Sequence, residues 1–255
     1  MALTEAGALL YRHATQIFAA ERAAEVALAQ LHGLEHGHLA IGASSTIGIY
    51  LLPKLLGIYR RRHPKVQLFL DIGNTQQIVE RLHTKPLDMA FVEGPVSASD
   101  IRVKPWRTDR LVVIAAPNHP LVEQEIISLH RLLREPFVMR EPGSGTREVA
   151  EAAVRERDGT LKIAMELGST EAVKQAVAAG LGLAIVSEAT IIVERAIGRL
   201  TVLPVAGLEM ERMLTQLFIV GRPESRALAA FQSLLAEPLS LDEAPISHSP
   251  PTSAV

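Results

Sequence analysis

Short apolar segments alternate with helix-forming segments twice along this chain, and that alternation limits the folds open to it. Leu39-Ala40-Ile41-Gly42-Ala43 reads as a buried strand, and a helix through Leu51, Leu52, Leu55, Leu56 and Tyr59 follows. Pro53 limits how regular the start of that helix can be. Arg60-Arg61-Arg62 puts cations at its C-terminus, and Pro64 stops it. Val66 to Ile72 is a second strand, Asn74 or Thr75 caps a helix through Leu82, and Asp88 to Val92 is a third strand. A β-α-β-α-β order at this spacing implies a parallel sheet with helices on both faces.

A second set begins after a strand from Leu111 to Ala116. It comprises Phe137-Val138-Met139, a helix from Thr146, a strand from Ile163 to Leu167 and a helix from Thr170. Leu183 to Val186, a helix from Ala189 to Ile197 and a short strand near Val202 complete it. Leu214 to Val220 is the last strand, and a helix from Glu224 to Leu235 follows. Leu111 to Ala116 and Leu214 to Val220 read as two crossings between the α/β units, so the last helix packs back on the first. A cleft between two such units is a usual place for a ligand.

Ahead of these units, Ala8 to His32 contains neither Pro nor Gly and is rich in Ala, the best helix former. Leu10, Ile17, Ala24, Leu28 and Leu31 lie on one stripe of it. A helix of about 25 residues is about 37 Å long, which suits pairing with a second copy. The alternative is a helix lying on its own domain. Leu3 to Gly7 runs into this helix without a break and reads as the remainder of a preceding domain. Residues 33–38 read as a hinge, and the Pro- and Ser-rich residues 239–255 as a disordered tail.

Hydroxyl-rich segments recur where strands end and helices begin: Ser44-Ser45-Thr46, Gly143-Ser144-Gly145-Thr146 and Gly168-Ser169-Thr170, with Asn74-Thr75 as a weaker case. In a parallel sheet these positions face the crevice. Helix N–H groups with neighbouring hydroxyls make an anion site; Ser and Thr also cap ordinary helices. Arg147 sits in a first helical turn, where a cation opposes the helix dipole, so a ligand or a nearby carboxylate compensates it. A solvated surface arginine is the other reading.

The 255 residues carry a formal net charge of -2, which gives no global field for wrapping nucleic acid. With no cysteine, disulfides, thiolate metal sites and a thiol nucleophile are excluded. No signal-peptide pattern and no membrane-length apolar run is present, which points to the cytoplasm. No acid–base or nucleophilic set is credible, so an enzyme is not expected. Gly143 to Arg147 lacks the lysine of a phosphate loop. His32, His36 and His38 have mixed spacing, and no metal is expected there.

The layout resembles the regulatory part of a LysR-type transcriptional regulator. Leu3 to Gly7 is similar to the segment closing that family's winged helix-turn-helix, and the helix from Ala8 to its linker helix. Leu52-Pro53-Lys54-Leu55-Leu56, Arg62-His63-Pro64 and Leu87 to Phe91 resemble its first helix and third strand. Val173 to Val186 follows a late glycine pattern, with Ser187 at the usual proline position. The resemblance implies an α/β fold of two Rossmann-like subdomains joined by two crossover strands, periplasmic-binding-protein-like of type 2, preceded by a long dimerisation helix. Its subdomains are residues 39–112 with 218–238, and residues 113–217. The implied effector is a small anion held by Ser44, Ser45, Thr46, Asn74, Thr75, Gly143, Ser144, Gly145, Thr146, Arg147, Ser169 and Thr170. A second copy of the chain, in a homodimer or a homotetramer, and operator DNA bound through the preceding domain complete the implied partners. A solute-binding protein of a transport system is the alternative, since it shares the two-lobed fold.

Overall fold

The computed structural model describes residues 37–96 and 98–237, together with residues 4–7, 9–11, 13–14, 17–18 and 21. Of the N-terminal residues described, 5–7, 9–11, 13–14, 17–18 and 21 are helical. Ala24, Leu28, Leu31, the residues 33–36 of the expected hinge, and the tail from 239 lie outside the described residues.

The first lobe is built on three parallel strands, β1 (Gly37–Ser44), β2 (Val66–Gly73) and β3 (Met89–Glu93), in the order β2-β1-β3. Between them run α1 (Leu52–Arg62) and α2 (Thr75–Thr84). A π-helical turn, Ile47–Leu51, precedes α1, and the Leu52 N–H reaches back to the Ile47 carbonyl. Pro53 explains this widening. It has no N–H to give, and its ring would strike the carbonyl four residues back in a regular helix. The expected hydroxyl cap at this helix is corrected: Ser45 and Thr46 are already helical, and Thr46 makes no side-chain capping bond.

Two long strands then join the lobes. β4 (Ile101–Ala115) begins ten residues earlier than the apolar run suggests. Its first half, Ile101 to Pro105, pairs antiparallel with β9 (Met210–Ile219) beside the first lobe. The register slips between Pro105 and Arg107. Pro105 has no ladder donor, and a bulge is where a strand tolerates that. From Leu111 on, β4 pairs with β7 (Ala184–Ser187) and β8 (Thr201–Leu203) of the second lobe. β9 lies antiparallel between β3 and β4. The parallel arrangement expected of the first unit holds for β2-β1-β3, and the returning strand β9 joins it against the direction of its neighbours.

The second lobe adds α3 (Leu129–Leu132), β5 (Pro136–Arg140), α4 (Gly145–Arg155), β6 (Lys162–Leu167), α5 (Thr170–Ala178) and α6 (Ile192–Ala196). β5 and β6 are parallel, and a bridge from Phe137 to Leu183 ties β5 to the start of β7. The single helix expected from Ala189 to Ile197 is a 3-10 turn, Glu188–Thr190, followed by α6.

Each lobe has two apolar layers, one on either side of its strands. In the first lobe, Leu39, Ile41, Leu52, Tyr59, Phe91 and Phe231 form one layer, and Ile78, Leu82, Leu87 and Val92 the other. In the second, Val113, Phe137, Val154 and Ile185 oppose Val112, Val138, Val177 and Val186. The last helix, α7 (Arg226–Ala236), returns to the first lobe. The Tyr59 hydroxyl donates to the Ala227 carbonyl at 2.9 Å, and Phe231 meets the Tyr59 ring edge-on, centroids 5.4 Å apart. Phe231→Ala should cost about 3–5 kcal/mol, the usual loss for a buried aromatic. Urea unfolding measures it, and a loss below about 1 kcal/mol would show that α7 is not part of this core.

Candidate functional site

The carboxyl ends of β1, β2 and β3 lie on one edge of the first lobe, and the N-terminus of α4 stands against them. Glu93, the last residue of β3, is buried there at 2% exposure. Its carboxylate accepts from the Ser44 hydroxyl at the end of β1, and from the Thr146 hydroxyl in the first turn of α4 at 3.4 Å. Arg212 on β9 donates through Nη1 to Thr146 Oγ1 at 2.9 Å, and through Nε to Asp109 Oδ2 at 2.8 Å. Arg212 and Asp109 face each other directly across β9 and β4. The Ser187 hydroxyl donates to Asp109 Oδ1 at 2.6 Å. A continuous polar chain, Ser187–Asp109–Arg212–Thr146–Glu93–Ser44, thus passes from the second lobe, through both crossover strands, into the first. Within this run of contacts one buried guanidinium, Arg212, lies between two buried carboxylates, Asp109 and Glu93.

One donor in this chain is left over. Arg212 Nη2 is buried and has no hydrogen-bond partner. Such a group costs free energy unless something pairs with it.

A second set of contacts closes the lobes beside this one. Asn74 caps α2 by accepting from the Gln77 N–H at 2.9 Å, and Gln77 returns the bond to the Asn74 N–H at 3.1 Å. The Asn74 amide also donates across the cleft to Glu141 Oε1 at 3.1 Å. Arg140, 3% exposed, grips both oxygens of Glu141 and donates to Thr170 Oγ1 at 2.9 Å. The Gln76 N–H donates to the Gly143 carbonyl at 3.2 Å. Gly143 needs its glycine for a φ of 82°. Gly145 needs its own for space, since a Cβ there would lie 2.1 Å from the Glu93 carbonyl oxygen.

The expected site residues divide by what already holds them. Ser44 and Thr146 join the central chain. Thr75 donates to the Glu93 carbonyl at 3.0 Å, and Ser45 to that of Gly73 at 3.2 Å. Ser169 caps α5 through the Ala172 N–H, and Thr170 takes Arg140. Thr46 and Ser144 are buried and make no side-chain cap bond. Arg147 is compensated by carboxylates, at 2.7 Å from Glu151 and 2.8 Å from Glu166. Among the described residues no cluster of histidines and acids could hold a metal, and no helix is long and apolar enough to cross a membrane.

Sequence reasoning missed Glu93, Asp109 and Arg212. It also missed Lys174, which is buried among Val173, Ala176 and Val177 on α5 and paired with Glu194 at 2.6 Å. Glu171 on the same helix accepts from Tyr50 of the first lobe at 3.2 Å. The available signal was a charged residue inside an otherwise apolar strand or helix face, because such a charge needs a partner.

Burial pushes the Glu141 carboxyl up, but hydrogen bonds from Arg140, its own backbone and Asn74 outweigh this and hold it below the ordinary value. A carboxyl lowered by folding adds stability that is present above its unfolded value, 4.5, and is lost as pH falls through the lower folded one. Urea midpoints measured from about pH 7 down to about pH 3 should therefore fall on the acid side, and Glu141→Gln should flatten that limb. An unchanged acid limb in the variant would show that Glu141 is not part of this closure.

Comparison with known proteins agrees with this architecture. A family model described as the LysR substrate binding domain matches residues 32–240. The chain is 40% identical over 210 residues to the HTH-type transcriptional activator CmpR of Synechocystis, covering 82% of this chain and 69% of that protein. It is 37% identical over 233 residues to the RuBisCO operon transcriptional regulator of Allochromatium vinosum, covering 91% and 77%. Among solved structures, the Synechocystis CcmR regulatory domain in complex with 2-PG matches with a TM-score of 0.73 and 32% identity, over 78% of this chain and 96% of that one. HinK, a LysR family transcriptional regulator from Pseudomonas aeruginosa, shares the fold with a TM-score of 0.69 at 23% identity, over 92% and 80%. The chain belongs to the LysR family of transcriptional regulators, of which it carries the substrate-binding region.

Proposed function

We propose that this chain is the effector-sensing and oligomerisation portion of a cytoplasmic, DNA-binding transcriptional regulator, and that it takes a small anion between its lobes. The observation that carries this reading is the buried, unpartnered Nη2 of Arg212, within a polar chain that touches both lobes. A guanidinium with an open donor edge is suited to carboxylate or phosphate oxygens. The 2-PG complex of the CcmR regulatory domain supports a small anion as the ligand class. Its regulator relatives favour this reading over a transport solute-binding protein.

The anion sits among Ser44, Ser45, Thr46 and Asn74-Thr75 of the first lobe and Gly143 to Arg147 with Ser169 and Thr170 of the second. By binding both lobes it changes the angle between them. Paired linker helices pass that change to DNA-reading heads on two operator half-sites. An effector can do this only by binding one lobe arrangement more tightly than the other.

Thr146→Val keeps shape and removes the hydroxyl that links Arg212 to Glu93. Calorimetry against glycolate, acetate, phosphate and sulfate should show anion affinity falling by about 1.5–3 kcal/mol in the variant. Unchanged affinity would put the anion elsewhere.

Self-association rests on the N-terminal helical segment, where Leu10 is 71% exposed and Ile17 66% exposed. Tyr11 and Phe18 are exposed as well. An apolar stripe of that kind is covered by a second copy. Sedimentation at micromolar concentration should give a dimer, and a clean monomer would overturn the assignment.

A further inference from the structure

The cluster that holds Arg212 also constrains which anions can use it. Arg212 places three nitrogens, of which Nε donates to Asp109 and Nη1 to Thr146, while Nη2 has no partner. Glu93 lies beside it, with Oε1 3.8 Å from Arg212 Nη1, close enough to attract and too far to hydrogen-bond. A carboxylate offers about four acceptor positions. Glu93 has bonds from the Ser44 hydroxyl and, at 3.4 Å, from Thr146. The site therefore presents an unused donor and spare acceptor capacity next to each other, both buried.

An anion with no proton to give satisfies only half of this. Its oxygens pair with Arg212 Nη2, and its charge then meets a buried carboxylate that nothing turns away, an arrangement that like charges in a dry site oppose. An anion that carries a hydroxyl satisfies both groups at once: its charged oxygens accept from Arg212, and its O–H donates to Glu93. Resting on the anion-binding role proposed above, we propose that Glu93 is a specificity-determining residue and that the effector is an anion bearing its own hydroxyl, a hydroxy acid or a protonated oxyanion. A site built to accept from a hydroxyl rejects the analogue that lacks it, because its own polar group is left unpaired.

Two matched pairs of probes test this on the full 255-residue chain at neutral pH. Glycolate differs from acetate by one hydroxyl. Inorganic phosphate keeps a proton at neutral pH, and sulfate keeps none. Calorimetry on the wild-type chain should show glycolate and phosphate binding at least about tenfold more tightly than acetate and sulfate. Glu93→Gln preserves shape, removes the charge and adds a donor. It should strengthen acetate and sulfate and weaken glycolate and phosphate, cutting the preference by about tenfold or more. The wild-type comparison stands by itself if the variant does not fold.

Equal binding of both members of each pair by the wild type would overturn the inference, as would a Glu93→Gln variant that shifts both members alike. Either result, with affinity still weakened by Thr146→Val, leaves the anion site standing and removes only the hydroxyl requirement. Failure of all four probes to bind would remove the anion site and the inference together.

Discussion

The pair that Arg212 forms with Asp109 joins the only two strands among the described residues that run between the lobes. The residues are direct neighbours across β9 and β4, and both are buried. Two charges taken out of water are a cost unless their remaining hydrogen-bonding positions are filled. Asp109 fills its second oxygen with the Ser187 hydroxyl, and Arg212 uses its next nitrogen on Thr146. The requirement to satisfy one ion pair thus draws in β7 from one side and α4 from the other. Removing Arg212 would leave two carboxylates, Asp109 and Glu93, buried without a cation, and the loss would be felt in both lobes.

The lobes meet elsewhere through a small number of polar contacts. Asn74 donates to Glu141, the Gln76 N–H to Gly143 and Tyr50 to Glu171. Each such bond is worth about 0.5–1.5 kcal/mol net. Their sum is comparable to what one well-held ligand supplies, so the closed arrangement is open to adjustment by a small molecule. The apolar cores do not share this property. Phe91, Trp106 and Phe231 pack within the first lobe, and Phe137 and Val154 within the second. Rigid cores with a polar seam between them favour movement as two bodies about β4 and β9.

Gly145 shows how closely the seam is fitted. Its backbone lies so near the Glu93 carbonyl that no side chain fits between. The N-terminus of α4 is thereby brought to the end of β3, and Thr146, one residue on, reaches the Glu93 carboxylate. Local chain geometry and the site's electrostatics are set by the same contact.

Much of the architecture is legible in the sequence by itself. Apolar strands such as Met89 to Val92 are buried on both sides, which a continuous apolar run announces. Asn74 and Ser169 cap their helices, because capping depends on residues three positions apart. Pro53 foretells an irregular helix start for the same local reason. The first ten residues of β4 were not legible: Arg102 to Pro105 are exposed in succession, so both faces meet solvent there, and Pro105 with several charges removes any alternation. Nor were the partners of the hydroxyls. Ser44 and Thr146 stand out as polar residues at helix starts, but Glu93 and Arg212, which engage them, come from strands 49 to 66 residues away. Sequence fixes local geometry because neighbouring residues decide backbone conformation. Which charges meet inside the cleft depends on strand register and on how two lobes close, and only the tertiary structure decides that.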